Sequence, residues 1–169
     1  MEIGLTDEVR KMCGLRPLPA PGEGVDPFFC WDIARVDLGS RKLLVMSNVA
    51  TSACAVTRMA AADWKHIDKV ARRLVEDAVE CCGCSPEDYF SLAGEIALTK
   101  THGRRAVGNM MTTAHALWAD EIDMTEKLQW RQMEEFNHHF ISRCVAHDGY
   151  GYPAERFAED LAAQLAQRL

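Results

Sequence analysis

The apolar positions change period several times along the chain, and each change marks an element. LTDEVRKMCG predicts a short helix, with Thr6 as its cap, Asp7 and Glu8 in the first turn where the helix dipole favours acids, and Gly14 as its stop. RPLPAPGEGVDP holds four of the chain's six prolines and predicts a connection without regular structure. WDIARVD and KLLVMSN, joined by LGSR, and then CAVTRM are rich in β-branched and apolar residues, so three strands in a meander are expected.

After Asp63 the period changes to that of a helix, with Trp64, Ile67, Ala71, Leu74, Ala78 and Cys81 at steps of three or four. Ser85 as cap and Pro86 at the first helical position open a short helix. EIALTKT predicts a fourth strand, and GRRAVGNMMTTAHALWADE a helix with Val107, Met110, Met111, Ala114, Leu117 and Trp118 on one face. From Thr125 a further helix is expected to carry Met133, Phe136, Phe140 and Cys144 on one stripe until DGYGYP breaks it. Pro153 then opens a last helix with Phe157, Leu161, Leu165 and Leu169 at i+4 steps. The expected fold is α+β: a small, mainly antiparallel sheet of four strands packed by amphipathic helices, with two C-terminal helices.

FFCWDIARVDLGSRKLLVMSNVAT and EIALTKTHGRRAVGNMM carry a resemblance. From about residue 1 to 118 the chain resembles an uncharacterised bacterial family, domain of unknown function 6933. Trp31, Arg41, Lys42, Asn48, Thr51, Thr99, Thr101, Arg104, Gly108 and Met110 fall on its recognisable positions. The chain departs from it at Arg105, where the family usually has serine, and at Met111 and Thr112, where it tends to Asn-Asp. The resemblance implies a fold class and a bacterial or mobile-element setting in the cytoplasm, and no reaction. It divides one domain of 169 residues into a family-like core, 1–118, and a helical extension, 119–169.

A net charge of -6 disfavours generic affinity for nucleic acid or anionic membrane. MEIGLTDEVRK has neither a basic nor an apolar leader segment, and no run approaches the roughly 18 apolar residues of a bilayer span, so neither secretion nor membrane insertion is expected. Seven cysteines, an odd number, are read as reduced thiols in a cytoplasm. Cys81, Cys82 and Cys84 lack the second ligand pair of a structural zinc site and are read as core and cap around Gly83. His138, His139, Cys144 and His147 are read as a polar face. No metal and no cofactor is expected.

The candidate site is TKTHGRR. Two arginines at a helix start oppose the dipole unless something negative sits with them. Thr99, Lys100, Thr101, His102, Arg104 and Arg105 are therefore the candidate anion- or partner-binding residues. The competing reading is structural: Arg104 pairs with an internal carboxylate, Glu95 or Asp32, and costs more stability than Arg105 when replaced. Trp31 is read as a core or hairpin-edge aromatic, with partner binding second. The acids of 120–127, with Glu134 and Glu135, are read as a solvated face or as a surface for a basic partner.

No catalytic signature is present, no residue is assigned as nucleophile, and the chain reads as a non-catalytic binding protein with a protein partner. One version is an inhibitor of nucleic-acid machinery, such as a host defence complex. The rival is an enzyme or sensor that holds a phosphate-bearing small molecule at TKTHGRR. Direct nucleic-acid binding comes third, and a homo-oligomer is permitted.

Overall fold

The computed structural model describes residues 1–38, 41–118 and 126–168. The acids at 120–125, the centre of the LGSR turn and Leu169 lie outside the described residues, as do the side chains of Leu117, Trp118, Glu126 and Lys127. The fold is α+β, with one five-stranded sheet in the order β4-β3-β2-β1-β5. Its strands are β1 (Glu2–Leu5), β2 (Cys30–Leu38), β3 (Arg41–Asn48), β4 (Cys54–Arg58) and β5 (Ala97–Lys100). The meander β2-β3-β4 is antiparallel, as its turn-separated runs predict.

The expected four-stranded, mainly antiparallel sheet needs one correction. EIGL is a strand, β1, inserted between β2 and β5 and parallel to both, with Glu2 opposite Cys30 and Ala97, and Gly4 opposite Asp32 and Thr99. Four residues that include a glycine have no readable alternation, and both partners are distant in sequence. The sheet is therefore mixed, and β1 is an interior strand between central β2 and edge β5.

Strand register sorts the side chains. Ile3, Leu5, Trp31, Ile33, Leu44 and Met46 share one face, and all are buried. Helices α1 (Asp7–Met12), α2 (Ile67–Cys81), α3 (Pro86–Ala93) and α6 (Pro153–Ala166) accompany this core. Trp31 is fully buried and closes on Tyr89 of α3 and Phe157 of α6, with ring centroids 6.2 and 5.9 Å away. Its Nε1–H donates to the Tyr89 hydroxyl at 2.8 Å, which donates to the Phe28 carbonyl at 3.0 Å, so neither polar atom is left unpaired in the apolar interior. Because Phe157 is central to this cluster, the C-terminal helix is part of the core rather than an appendage to it.

The opposite face carries Glu2, Gly4, Cys30, Asp32, Ala34, Ser47 and Thr99. Helix α4 (Arg104–Trp118) crosses it, and Ala106 packs with Cys30 and Val49. Each edge strand is met by a neighbouring segment at one residue. Asn137 accepts from the Cys54 N–H at 2.9 Å and donates to its carbonyl at 3.0 Å, while the proline-rich connection offers the Pro19 carbonyl to the Lys100 N–H at 2.8 Å.

The helix predicted from Thr125 ends sooner than its apolar stripe suggests. α5 (Glu126–Glu134) runs into a π-helical turn, Glu135–His139, and Phe140 is extended. The wider turn breaks the four-residue step, so Met133 and Phe136 stay buried while Phe140 emerges. Cys144 is buried in the following loop, off the helix. Gly83, at φ 74°, stops α2 as predicted, with the Cys84 N–H returning to the Val79 carbonyl at 3.0 Å.

Candidate functional site

Strand β5 ends at Lys100, and Gly103, at φ 106°, turns the chain into α4. That turn folds His102 back over the central strands. Its Nδ1 lies 2.7 Å from Oδ1 of Asp32 and its Nε2 lies 3.1 Å from Oε2 of Glu2. The His102 backbone N–H also donates to the Asp32 carboxylate, at 3.1 and 3.2 Å. Glu2 is fixed in turn by the Gly22 N–H, 2.9 Å from its other oxygen. A side chain at Gly4 would occupy the place of the Asp32 carboxylate, since an added Cβ would stand 2.1 Å from Oδ1. Glycine makes room for the acid.

The Asp32 side chain is 1% exposed and that of His102 is 9% exposed, so the pair has little contact with water. Burial alone would lower the imidazole pKa, but the Asp32 hydrogen bond, then the Cys30 thiol and the Asp32 charge, outweigh it and push the group up to about 10. The groups facing the ring are Glu2 from β1 and Cys30 and Asp32 from β2. A folded value above the unfolded 6.5 means that this stabilisation is complete below pH 6.5 and disappears as pH rises through about 10. Within that window unfolding free energy should fall by about 1.4 kcal/mol per pH unit, which is about 3–6 °C in thermal midpoint. His102→Gln should flatten the slope, as read by thermal melts of metal-free protein across the window; an equal slope in both proteins would refute it.

The structure separates the six predicted site residues. Thr99 is buried, its hydroxyl donating to the Lys100 carbonyl at 2.9 Å. His102 is held by two acids. Lys100 and Thr101 line a cavity of about 410 Å³ beside Arg10 and Leu18. The tether expected of Arg104 belongs to His102: Arg104 is exposed, and among the described residues no acid pairs with it. Glu95 uses its backbone carbonyl to accept from the N-terminal amine at 3.0 Å. Asp32 points toward the chain one residue before the Gly103 cap, where His102 meets it first.

Arg105 is also exposed, yet its guanidinium donates to the Cys144 carbonyl at 3.0 Å, tying α4 to the loop before α6. The expected order of the two arginines is thus reversed. Arg105→Ala should cost about 1 kcal/mol and Arg104→Ala less than about 0.5 kcal/mol, measured by urea unfolding. A larger loss at Arg104 would restore the buried-tether reading.

Sequence reasoning passed over the fuller constellation. One oxygen of Glu2, the Cys30 sulfur and one nitrogen of His102 all lie within 4.8 Å of one another, a set with the donor types of a metal site. Nucleophilic use of Cys30 is disfavoured: the residue is 2% exposed, and neither it nor His102 lines the cavity beside Lys100. No local motif could have revealed the set, because its members stand 28 and 72 residues apart along the chain (30 − 2 and 102 − 30). The histidines and cysteine singled out from sequence instead disperse: His138 Nε2 meets the Cys81 carbonyl at 2.6 Å, His147 meets Asp160 at 2.9 Å, and Cys144 accepts from Arg156 at 3.2 Å.

A second surface lies beyond α4. Among the described residues the exposed large hydrophobics are Val25, Phe140, Ile141, Tyr150 and Tyr152, so four of five fall between 140 and 152. The bridge between Ser142 and Gly151 folds that segment on itself, and buried Arg156 holds it by donating to the carbonyls of Ser142 and Gly149 at 2.9 and 3.2 Å. Phe136, Phe140, Ile141 and Tyr150 surround a cavity of about 210 Å³ against α4. Asn109 Nδ2 and Ser142 Oγ, from two of its lining residues, are buried without a hydrogen-bond partner among the described residues. A larger cavity, about 710 Å³, lies between Arg58, Arg73, Asp77 and Trp130, and none of the predicted site residues lines it.

Among known proteins, the model of a family described as a domain of unknown function (DUF6933) matches residues 2–156, extending the likeness beyond residue 118 into the first turn of α6. No curated protein matches the chain.

Proposed function

We propose that this chain, which belongs to the DUF6933 family, is a non-catalytic interaction protein that docks a protein partner on the 140–152 face. The observation that carries this reading is the gathering of Phe140, Ile141 and Tyr150 on the surface around a small cavity. Isolated exposed apolar residues are ordinary, whereas an aromatic group around a depression has the composition of interface anchors. At about 210 Å³ the cavity is smaller than the roughly 300–1,000 Å³ of small-molecule sites, so it suits one bulky side chain of a partner. Asn109 Nδ2 and Ser142 Oγ favour an acceptor on that side chain, because docking would then satisfy buried atoms that now lack partners. The net charge of -6 favours a basic partner, including a protein of nucleic-acid machinery that this chain would inhibit.

The reading is tested by affinity capture from the native cell with wild type, Ile141→Asp and Lys100→Ala, followed by titration of the purified partner. Loss with Ile141→Asp alone supports it. Binding that depends on Lys100, or a partner that proves to be a second copy of this chain, overturns it.

A second reading is favoured by the cavity of about 410 Å³ at Lys100, Thr101 and Arg10, which falls in the size range of small-molecule sites. A phosphate-bearing ligand there should raise the thermal midpoint of wild type and not of Lys100→Ala. Arg105 lies outside this cavity, so Arg105→Ala should leave the response intact.

A further inference from the structure

We propose that Glu2, Cys30 and His102 bind one divalent cation of the zinc class, with Asp32 as the carboxylate that orients His102. The inference is independent of the docking face, and three observations carry it.

The donors already converge. Zinc–nitrogen and zinc–oxygen bonds of about 2.0–2.2 Å place two tetrahedral ligands about 3.3–3.6 Å apart. His102 Nε2 and Glu2 Oε2 stand 3.1 Å apart, and the three donors fall within 4.8 Å of one another. The closure still needed is at most about 1.2 Å, and the ion takes the position of the proton now shared by Nε2 and Oε2.

The second observation is the orientation of the ring. The Asp32 carboxylate, 2.7 Å from Nδ1, holds the proton there and leaves Nε2 as the nitrogen that faces Glu2. A carboxylate behind a histidine is the recurrent outer partner of zinc ligands, because it sets the tautomer and raises the basicity of the ligating nitrogen. Asp32 is itself 1% exposed and is seated by the absent side chain of Gly4, so the orientation is built into the sheet.

The third is charge. Two carboxylates face one imidazole in an interior position, which attracts a cation, and the two charges of the ion replace the protons released by the Cys30 thiol and by His102 Nε2. Sulfur, nitrogen and oxygen together favour zinc or a similar borderline ion over calcium or magnesium, which take oxygen alone. Because the ligands come from β1, β2 and the β5–α4 turn, the ion would join three segments that are far apart in sequence.

The test uses the full chain after chelator treatment, titrated with cobalt(II) and then zinc(II). The expected result is one cobalt per chain, a thiolate-to-metal absorption band, displacement of that band by zinc, and a higher thermal midpoint with zinc. Cys30→Ser should abolish the band and weaken zinc binding at least tenfold, Asp32→Asn should weaken it by about 10–100-fold, and Cys84→Ser should leave both unchanged. A wild-type titration with no thiolate band overturns the proposal without recourse to any variant. A band that persists in folded Cys30→Ser protein, or zinc affinity unaltered by His102→Gln, would also overturn it by placing the ion elsewhere.

Discussion

Asp32→Ala should lower unfolding free energy by about 3–5 kcal/mol, the cost of leaving a buried charged partner without its counterion. The Asp32 carboxylate receives three contacts from one residue: the ring Nδ1 and the backbone N–H to each of its oxygens. Removing it strands an imidazole whose remaining acid, Glu2, is itself held by the Gly22 N–H. The loss should therefore exceed that of any single arginine in the same segment. Urea unfolding of Asp32→Ala, His102→Ala and the double variant measures it, and the two single losses should add to more than the double loss because the residues act as one unit. Strict additivity with a small Asp32 effect would show that the pair contributes little.

Gly4→Ala should cost about 3 kcal/mol or more, the upper end of what overpacking a buried site produces. The added Cβ would stand 2.1 Å from Asp32 Oδ1, 2.8 Å from the Thr101 Cα and 3.0 Å from the Lys100 carbonyl oxygen. Two of those three atoms are backbone, so no rotamer change relieves the contact. The carboxylate must leave His102 and β1 must also move away from β5, and both movements disturb the sheet beside its central strand. Gly14→Ala is the informative comparison: its φ of 66° strains the variant, yet no atom lies within 4 Å of the added Cβ. A loss at Gly4 no greater than at Gly14 would refute the packing argument.

Much of the fold was readable from local chemistry. The Ser85 hydroxyl accepts from the Asp88 N–H at 3.2 Å as its cap position implies, Gly83 stops α2, and the apolar runs WDIARVD and KLLVMSN, joined by LGSR, become a hairpin. These features depend on neighbours within a few residues. What stayed hidden depends on pairing across the chain. EIGL becomes an interior strand only because β2 and β5 lie on either side, and nothing in four residues announces that.

The candidate site was legible in the same uneven way. The need for negative charge at the start of α4 followed from the dipole, but the acids that answer it, Asp32 and Glu2, are 70 and 100 residues away (102 − 32 and 102 − 2). Periodicity favoured Arg104 as the buried cation because its stem begins beside an apolar stripe. The positive φ of Gly103 rotates the chain so that His102 faces the sheet and Arg104 faces water. The exposed aromatics were concealed for a different reason: a stripe that includes Phe140 reads as core until the π turn moves it outward.

His102 is held as a cation between Asp32 and Glu2, and nitrogen-15 spectroscopy of its ring in metal-free protein tests that directly. Midway between pH 6.5 and about 10 the ring should carry protons on both nitrogens, and it should titrate near the upper value. A ring that loses its proton near 6.5, like a free histidine, would contradict the account.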